Sequence, residues 1–263
     1  MSTAARDISE SAGLDAVSRG SRTSLPERYE RWREAFDNGV ESSIHPGAQV
    51  LDVGSGREPT VPWAVRPAGC KYVGLDLSAA ELERAPSGSY DETVVCDITE
   101  FRPELRDRFD LVMSFQVFEH VRPLSTALQN IRTYLKSGGV LVAIMSGTFA
   151  EFALASRVIP TGMARRILKR TMGKSEDSVF PAHYDRCWYG ALRSELRDWT
   201  DVEITPLYVG GLYLAFAPAL QAIYLKYEEW AMRGGHRNLA SHYVVCARRP
   251  AALGPADVGA RLD

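Results

Sequence analysis

The chain has 263 residues, a hydrophobic content of 45% and a formal net charge of −2 at pH 7. This composition is ordinary for a globular protein with a sizeable core, and the near-neutral charge excludes a global electrostatic basis for nucleic-acid binding. The four cysteines show no metal-ligand spacing, so buried thiols are favoured over a metal site or disulfides.

The two ends of the chain differ in composition from the rest. Residues 1–23 are predicted to be disordered, residues 24–249 to form a single domain, and residues 250–263 to form a flexible tail. Because the N-terminal stretch has no apolar core run, no secretory signal is indicated. A cytoplasmic location is therefore the expectation.

Apolar runs alternate with helical patterns along the first half of the domain. Strands are expected at 49–54, 71–76, 92–97, 109–114 and 140–146, followed by two more near 201–206 and 241–248. A first helix is predicted to begin near Ser24, which forms a capping box with Glu27. The clearest helix begins at Pro123 and is predicted to end at Gly138-Gly139. Continuous apolar strands alternating with helices predict an α/β, doubly wound parallel sheet.

Glycine and acidic residues follow the first strands. In the run VLDVGSGREP, Gly54 and Gly56 allow a sharp turn and close approach of a ligand. Asp76 and Asp97 end the next two strands, and ligands of such sheets bind beyond the carboxyl ends of the strands. Asp76 can accept hydrogen bonds from ribose hydroxyls, and Asp97 can bind an adenine amino group. The alternative for each carboxylate is a role as a helix cap or turn stabiliser.

A dinucleotide fingerprint fits this turn less well. It requires a small residue three positions after the second glycine, where Pro59 stands. Asp52 would repel phosphates but suits a cationic ligand. A nicotinamide-dependent oxidoreductase is therefore kept as an alternative, together with a non-catalytic module that binds an adenosine ligand.

Taken together, the blocks VLDVGSG, YVGLDLS, VVCDIT, FDLVMSFQVFEHV and LKSGGVLVAI resemble the class I S-adenosylmethionine-dependent methyltransferases that act on small molecules. The resemblance covers about residues 48–146, and Glu58 stands where the family often has a third glycine. It implies a Rossmann-like, seven-stranded, mostly parallel sheet with an antiparallel last strand. It also implies S-adenosyl-L-methionine as cofactor and methyl transfer to oxygen, nitrogen or carbon of a small-molecule acceptor. The cofactor-binding residues it implies are Asp52, Gly54, Ser55, Gly56, Asp76, Leu77, Asp97, Ile98, Phe115 and Gln116.

Two histidines are candidates for catalysis. His183 lies in an aromatic block at 180–189 and is the favoured general base, with plain packing of this block as the alternative. His120 can position substrate or act as a base, or it can form with Glu119 a structural pair that ties the loop down.

Residues 147–225, after the fifth strand, are predicted to form a helical and aromatic lid. Its segment 207–225 is apolar and long enough to span a bilayer, but interrupting prolines and glycines favour a substrate-covering flap. A basic helix face at 165–174 is either solvated or suited to an anionic partner. Together they favour a hydrophobic or amphiphilic acceptor and permit transient contact with a membrane surface, without stable insertion. The oligomeric state is not indicated.

Overall fold

The computed structural model describes residues 25–150, 181–215 and 217–251 of the chain. Several predicted features lie wholly or partly outside these residues. They are the N-terminal stretch at 1–23, Ser24, residues 151–180 of the lid with the basic face at 165–174 and Phe180, and residues 252–263 of the tail predicted at 250–263.

Seven strands form one sheet in the order β3-β2-β1-β4-β5-β7-β6. The strands are β1 (Gln49–Val53), β2 (Lys71–Asp76), β3 (Glu92–Val95), β4 (Phe109–Phe115), β5 (Leu135–Ser146), β6 (Thr200–Leu207) and β7 (His242–Arg248). The first five strands pair in parallel, whereas β7 runs antiparallel to both β5 and β6. The predicted mostly parallel sheet with an antiparallel last strand is confirmed.

The helices of the described residues cover both faces of this sheet. They are α1 (Glu34–Ser43), α2 (Ala79–Glu83), α3 (Leu124–Tyr134), α4 (Tyr189–Glu195) and α5 (Pro218–Arg233). Short 3-10 turns lie at Glu27–Tyr29, Phe118–His120 and Gly210–Leu214. Strand side chains alternate between two cores, so that Val50 packs with Phe36 of α1 while Leu51 packs with Ile131 of α3. Burial on both faces explains why the strands read as continuous apolar runs.

Two predicted helix boundaries were wrong. The first helix begins at Glu34, after the 3-10 turn, and not near Ser24. The helix after β4 ends at Tyr134 because the next residue, Leu135, already pairs with Phe109 of β4. Gly138-Gly139 therefore lies inside β5 rather than at a helix end.

The apolar segment 207–225 is divided among three elements. It contains the end of β6, the 3-10 turn at Gly210–Leu214 and the start of α5 at Pro218. Within the described part of the chain, no helix has the length and apolar character needed to cross a membrane.

Candidate cofactor and acceptor site

The glycine turn at the end of β1 is held against its neighbours on both sides. Gly54 and Gly56 have φ values of +72° and +50°, which L side chains rarely adopt. The Gly54 amide donates to the carbonyl oxygen of Leu75 in β2 at 2.7 Å. On its other side, a Cβ at Gly54 would overlap the side chain of Val117, just after β4. The turn thus brings together the predicted cofactor segments after β1, β2 and β4.

Asp52 lies fully buried beneath this turn. Its carboxylate accepts hydrogen bonds from the Thr60 amide and hydroxyl, both at 2.8 Å, and from the Tyr72 hydroxyl at 2.7 Å. Burial raises the pKa of Asp52 to about 6, although these hydrogen bonds act in the opposite direction. Asp52 therefore anchors the loop from below, and its predicted role in binding the cofactor stays a prediction.

The carboxylates at the ends of β2 and after β3 keep acceptor capacity. Asp76 accepts the amide of Gly56 at 3.0 Å with one oxygen and that of Ser78 at 2.8 Å with the other. Partial burial raises its pKa. Each of its oxygens has a second lone pair, which a ribose hydroxyl can use. Asp97 uses Oδ1 for the amide and hydroxyl of Thr99, both at 2.8 Å, and its Oδ2 has no hydrogen-bond partner in the described chain.

The neighbours of these two carboxylates lie in different environments. Leu77 is 61% exposed, so it offers an apolar surface beside Asp76. Ile98 is buried, and its carbonyl oxygen accepts a hydrogen bond from Asn130 of α3 at 2.9 Å. Ser55 is buried within the glycine turn, and its Oγ has no hydrogen-bond partner in the described chain. This edge of the sheet therefore combines carboxylates with free lone pairs, the exposed apolar side chain of Leu77 and the glycine turn. That combination suits an adenosine-containing ligand.

Phe115 and Gln116 lie at the end of β4, under the N-terminal segment. Gln116 has a φ of +58°, an uncommon conformation that often marks functional sites. Its backbone amide donates a hydrogen bond to the carbonyl oxygen of Ile144 at 2.8 Å, and its side-chain oxygen accepts one from the Ser146 hydroxyl at 3.0 Å. The ring of Phe115 lies 5.9 Å from that of Trp32.

The two predicted catalytic histidines lie in adjoining segments. The carbonyl oxygen of Glu119 accepts the amides of His183 at 2.8 Å and Tyr184 at 2.9 Å, so the loop at 181–184 is bound to the 3-10 turn at Phe118–His120. His120 Nδ1 lies 3.2 Å from the carbonyl oxygen of Pro181, while His183 itself is exposed. The tie predicted for Glu119 and His120 is thus made through the backbone of Glu119. Both catalytic roles stay predictions.

The Glu119 carboxyl and Asp185 differ in their surroundings. The Glu119 carboxyl is buried, its Oε2 has no hydrogen-bond partner in the described residues, and burial raises its pKa to about 7. Asp185 instead accepts the amide of Leu124 at 2.9 Å and caps the start of α3. Among the described residues, Asp185 makes this hydrogen bond and none with His183.

Several residues at this edge were not singled out by sequence reasoning. Buried His242 starts β7, and burial lowers its pKa to about 4. Glu228 of α5, also buried, accepts the amide of Gly210 at 2.6 Å and the hydroxyl of Tyr29. His242 stands out in the sequence as a polar residue before an apolar strand, whereas Glu228 lies between Lys226 and Glu229 and gives no local signal. The role of either depends on which segments become neighbours.

A cleft of about 540 Å³ opens beside the carboxyl end of β6. The aromatic and apolar lining includes Trp32, Tyr208 and Met232. Its charged lining residues are Arg28, Arg31, Arg237 and Glu34. The cleft therefore combines apolar surface with a predominantly basic rim.

Comparison with known proteins gives this site its context. Residues 25–186 match a family model described as a methyltransferase domain. The chain is 26% identical over 162 residues to a ubiquinone biosynthesis O-methyltransferase of Rhodopseudomonas palustris, a match that covers 59% of this chain and 62% of the relative. It thus spans about three fifths of the length of such curated relatives.

Two solved structures illustrate the fold. An S-adenosylmethionine-dependent methyltransferase from Mesorhizobium loti aligns with a TM-score of 0.50 and 19% identity over 83% of this chain and 97% of that one. The [4+2]-cyclase SpnF aligns with a TM-score of 0.53 and 16% identity over 92% and 93%. Identities this low show the fold alone.

The family match, however, extends over more than half of the 263 residues. The chain therefore belongs to the class I S-adenosylmethionine-dependent methyltransferases.

Proposed function

We propose that this methyltransferase acts on a small, hydrophobic or amphiphilic acceptor that enters beside β6. The observation that carries the proposal is one shared edge of the sheet. Asp76 and Asp97, the carboxylates proposed to bind the adenosine part of the cofactor, lie at the carboxyl ends of β2 and β3. The cleft lined by Trp32 and Tyr208 opens at the carboxyl end of β6, on the same edge of the sheet. A methyl donor and a methyl acceptor bound side by side along this edge would meet near Phe115 and Gln116.

The proposed cofactor residues divide the task of binding S-adenosylmethionine. Asp76 holds the ribose hydroxyls, Asp97 and Ile98 lie by the adenine, and the turn at 54–56 approaches the methionine part, supported from below by Asp52. When bound, S-adenosylmethionine supplies a methyl group already activated by its sulfonium. The protein's own work is then to hold both molecules, align them and exclude water.

His183 and His120 are proposed to act at the acceptor. Imidazole is the side chain that enzymes most often use as a general acid or base. The hydrogen bonds from His183 and Tyr184 to Glu119 support this proposal, because they hold the loop that carries His183 over the end of β4. Oxygen is a reasonable acceptor atom, since the curated relatives named above are O-methyltransferases.

Two measurements test the proposal. Calorimetric titration with S-adenosylhomocysteine should give saturable binding, while NADH should give none. Host extract incubated with the protein and isotopically labelled methyl donor should then yield a labelled small molecule in mass spectrometry. Tight binding of S-adenosylhomocysteine without any labelled product would instead favour a non-catalytic module. Binding of NADH alone would favour the oxidoreductase.

A further inference from the structure

His242 occupies a position at the carboxyl edge that the proposed function does not use. Because β7 is antiparallel, its first residue lies opposite Ser146, the last residue of β5, and Leu207, the last residue of β6. The His242 ring lies 6.4 Å from Trp32, whose ring is 5.9 Å from Phe115. His242 therefore belongs to the same aromatic group as the end of β4.

The neighbours of His242 border the cleft described above. Leu207, its partner in β6, and Trp32, its ring neighbour, both line that cleft. His242 itself is only 3% exposed. A planar apolar molecule that reached between these side chains would meet the imidazole as a polar group in an otherwise apolar wall.

Hydrogen bonding at Ser241 determines which imidazole nitrogen carries the proton. The Ser241 hydroxyl donates its one hydrogen to the carbonyl oxygen of Leu207 at 3.0 Å and accepts the amide of Val209 at 2.9 Å. His242 Nδ1 lies 3.2 Å from the same oxygen. Since the hydroxyl hydrogen is already used, Nδ1 must be the donor, and this tautomer leaves a lone pair on Nε2.

The surroundings keep this imidazole neutral and Nε2 available. Burial is the cause that lowers the pKa of His242, and no charged side chain among the described residues contributes to the shift. Within the described residues, the His242 ring makes one hydrogen bond, which is the one at Nδ1. Nε2 is not among the fully buried side-chain atoms that lack a partner in the described residues, so it keeps some access to solvent. A ligand that covered Nε2 without donating a hydrogen bond would cost about 1–3 kcal/mol, so the position favours a ligand that brings a donor.

We propose that Nε2 of His242 accepts a hydrogen bond from the hydroxyl group of an aromatic methyl acceptor that lies against Trp32 and Phe115. This inference rests on the proposed function and specifies its substrate class. It also assigns a selection step to His242. A free hydroxyl satisfies Nε2, whereas its methyl ether has no hydrogen to donate and covers Nε2 without pairing it. The site would thus bind unmethylated acceptor and release methylated product.

The test uses 2-naphthol and 2-methoxynaphthalene as a matched pair of probes on the full chain saturated with S-adenosylhomocysteine. The wild-type protein should bind 2-naphthol about 10- to 100-fold more tightly, as expected for one buried acceptor that gains or lacks a donor. His242→Phe should bring the two affinities within about threefold of each other, whereas His242→Gln, which retains an acceptor, should keep part of the preference. His45→Ala, at the opposite edge of the sheet, is the matched control and should behave as wild type.

Nitrogen NMR of the labelled wild-type protein gives a second measurement that does not depend on any variant folding. It should show the Nδ1–H tautomer, with an Nε2 resonance that shifts on addition of 2-naphthol. A proton on Nε2, absence of binding by 2-naphthol, or an unchanged probe preference in a folded His242→Phe protein would each overturn the inference. Calorimetry with S-adenosylhomocysteine separates the two proposals. Failure of the wild-type protein to bind S-adenosylhomocysteine contradicts the proposed function. Retained binding, together with equal affinities for 2-naphthol and 2-methoxynaphthalene, contradicts only the role of His242.

Discussion

Asp76 combines two tasks that are usually considered separately. Its two oxygens accept the Gly56 and Ser78 amides, so the carboxylate positions both the glycine turn and the start of α2. The lone pairs that remain can accept hydroxyl groups. The alternatives weighed for this residue, ligand binding and local stabilisation, are therefore compatible.

Replacing Asp76 should separate these tasks. Asp76→Ala should weaken S-adenosylhomocysteine binding about 100-fold in calorimetry, because two hydrogen bonds to a charged acceptor are lost. Asp76→Asn should lie between this variant and wild type, since its amide keeps one acceptor oxygen. Asp198→Ala changes an exposed carboxylate just before β6 and serves as control. Unchanged affinity in folded Asp76→Ala would remove the residue from the site.

Gly54 is constrained by contact as well as by backbone conformation. Gly54→Ala should lower the free energy of unfolding by about 3 kcal/mol or more, because it adds overlap with Val117 to the cost of a positive φ. Gly88→Ala is a matched control, with a φ of +84° but no atom within 4 Å of the added Cβ. It should cost only about 1–2 kcal/mol. Equal losses in urea unfolding would contradict the close packing inferred at Gly54.

At the scale of elements, the N-terminal segment is joined to α5 and the turn before it. The Tyr29 hydroxyl donates to buried Glu228 and accepts the Gly211 amide at 2.9 Å. Arg28 reaches Glu228 at 3.4 Å and donates to the Tyr208 carbonyl oxygen at 2.7 Å. This network joins the segment just before Trp32 to α5 and to Tyr208, which also lines the cleft.

Removal of the Tyr29 hydroxyl should therefore destabilise the protein measurably. Tyr29→Phe leaves both the Gly211 amide and an oxygen of Glu228 without this partner, so the free energy of unfolding should fall by about 2–3 kcal/mol. Tyr227→Phe removes a hydroxyl whose one hydrogen bond within the described residues, to the carbonyl oxygen of Leu239, is 3.4 Å long, and should cost less than about 1 kcal/mol. Chemical unfolding of both variants makes the comparison. A loss no larger in Tyr29→Phe than in Tyr227→Phe would contradict a stabilising network.

At the scale of the whole molecule, buried ionisable groups oppose one another in their effect on stability. Burial raises the pKa of Asp52 to about 6 and that of Glu119 to about 7. The folded state therefore holds their protons at a pH where the unfolded chain has lost them, and stability falls as pH rises from about 4 to 7. The lowered pKa of His242, about 4, acts in the opposite direction between about pH 4 and 6.5.

Glu119→Gln should expose this pH dependence. The variant cannot ionise at this position, so its stability relative to wild type should increase from pH 5 to pH 8, by on the order of 3 kcal/mol. Urea unfolding at the two pH values measures the change. Glu30→Gln, at an exposed position, should show a difference from wild type that does not vary with pH. A pH-independent difference for Glu119→Gln as well would mean that this carboxyl group ionises normally in the folded protein.

Local sequence features were sufficient for most of the sheet but not for all boundaries. Continuous apolar strands and the turn at Gly54 and Gly56 depend on residues that are adjacent in the sequence, so they could be predicted from it. The end of α3 could not, because a Gly-Gly pair suits a helix end and a bulged strand equally. Pairing of Leu135 with Phe109 decided between them.

Short runs of neighbouring residues were enough to predict the family, the doubly wound sheet and the acidic residues at the end of β2 and after β3, because the chemistry of each run is local. Only the tertiary structure placed Asp52 beneath the turn, joined Tyr29 to Glu228 and brought His242 beside Trp32. These relations depend on segments far apart in the chain, and on the antiparallel direction of β7, which carries the first residue of that strand to the carboxyl edge. No local pattern encodes such neighbours, since they arise only when the strands pair and the helices pack against them.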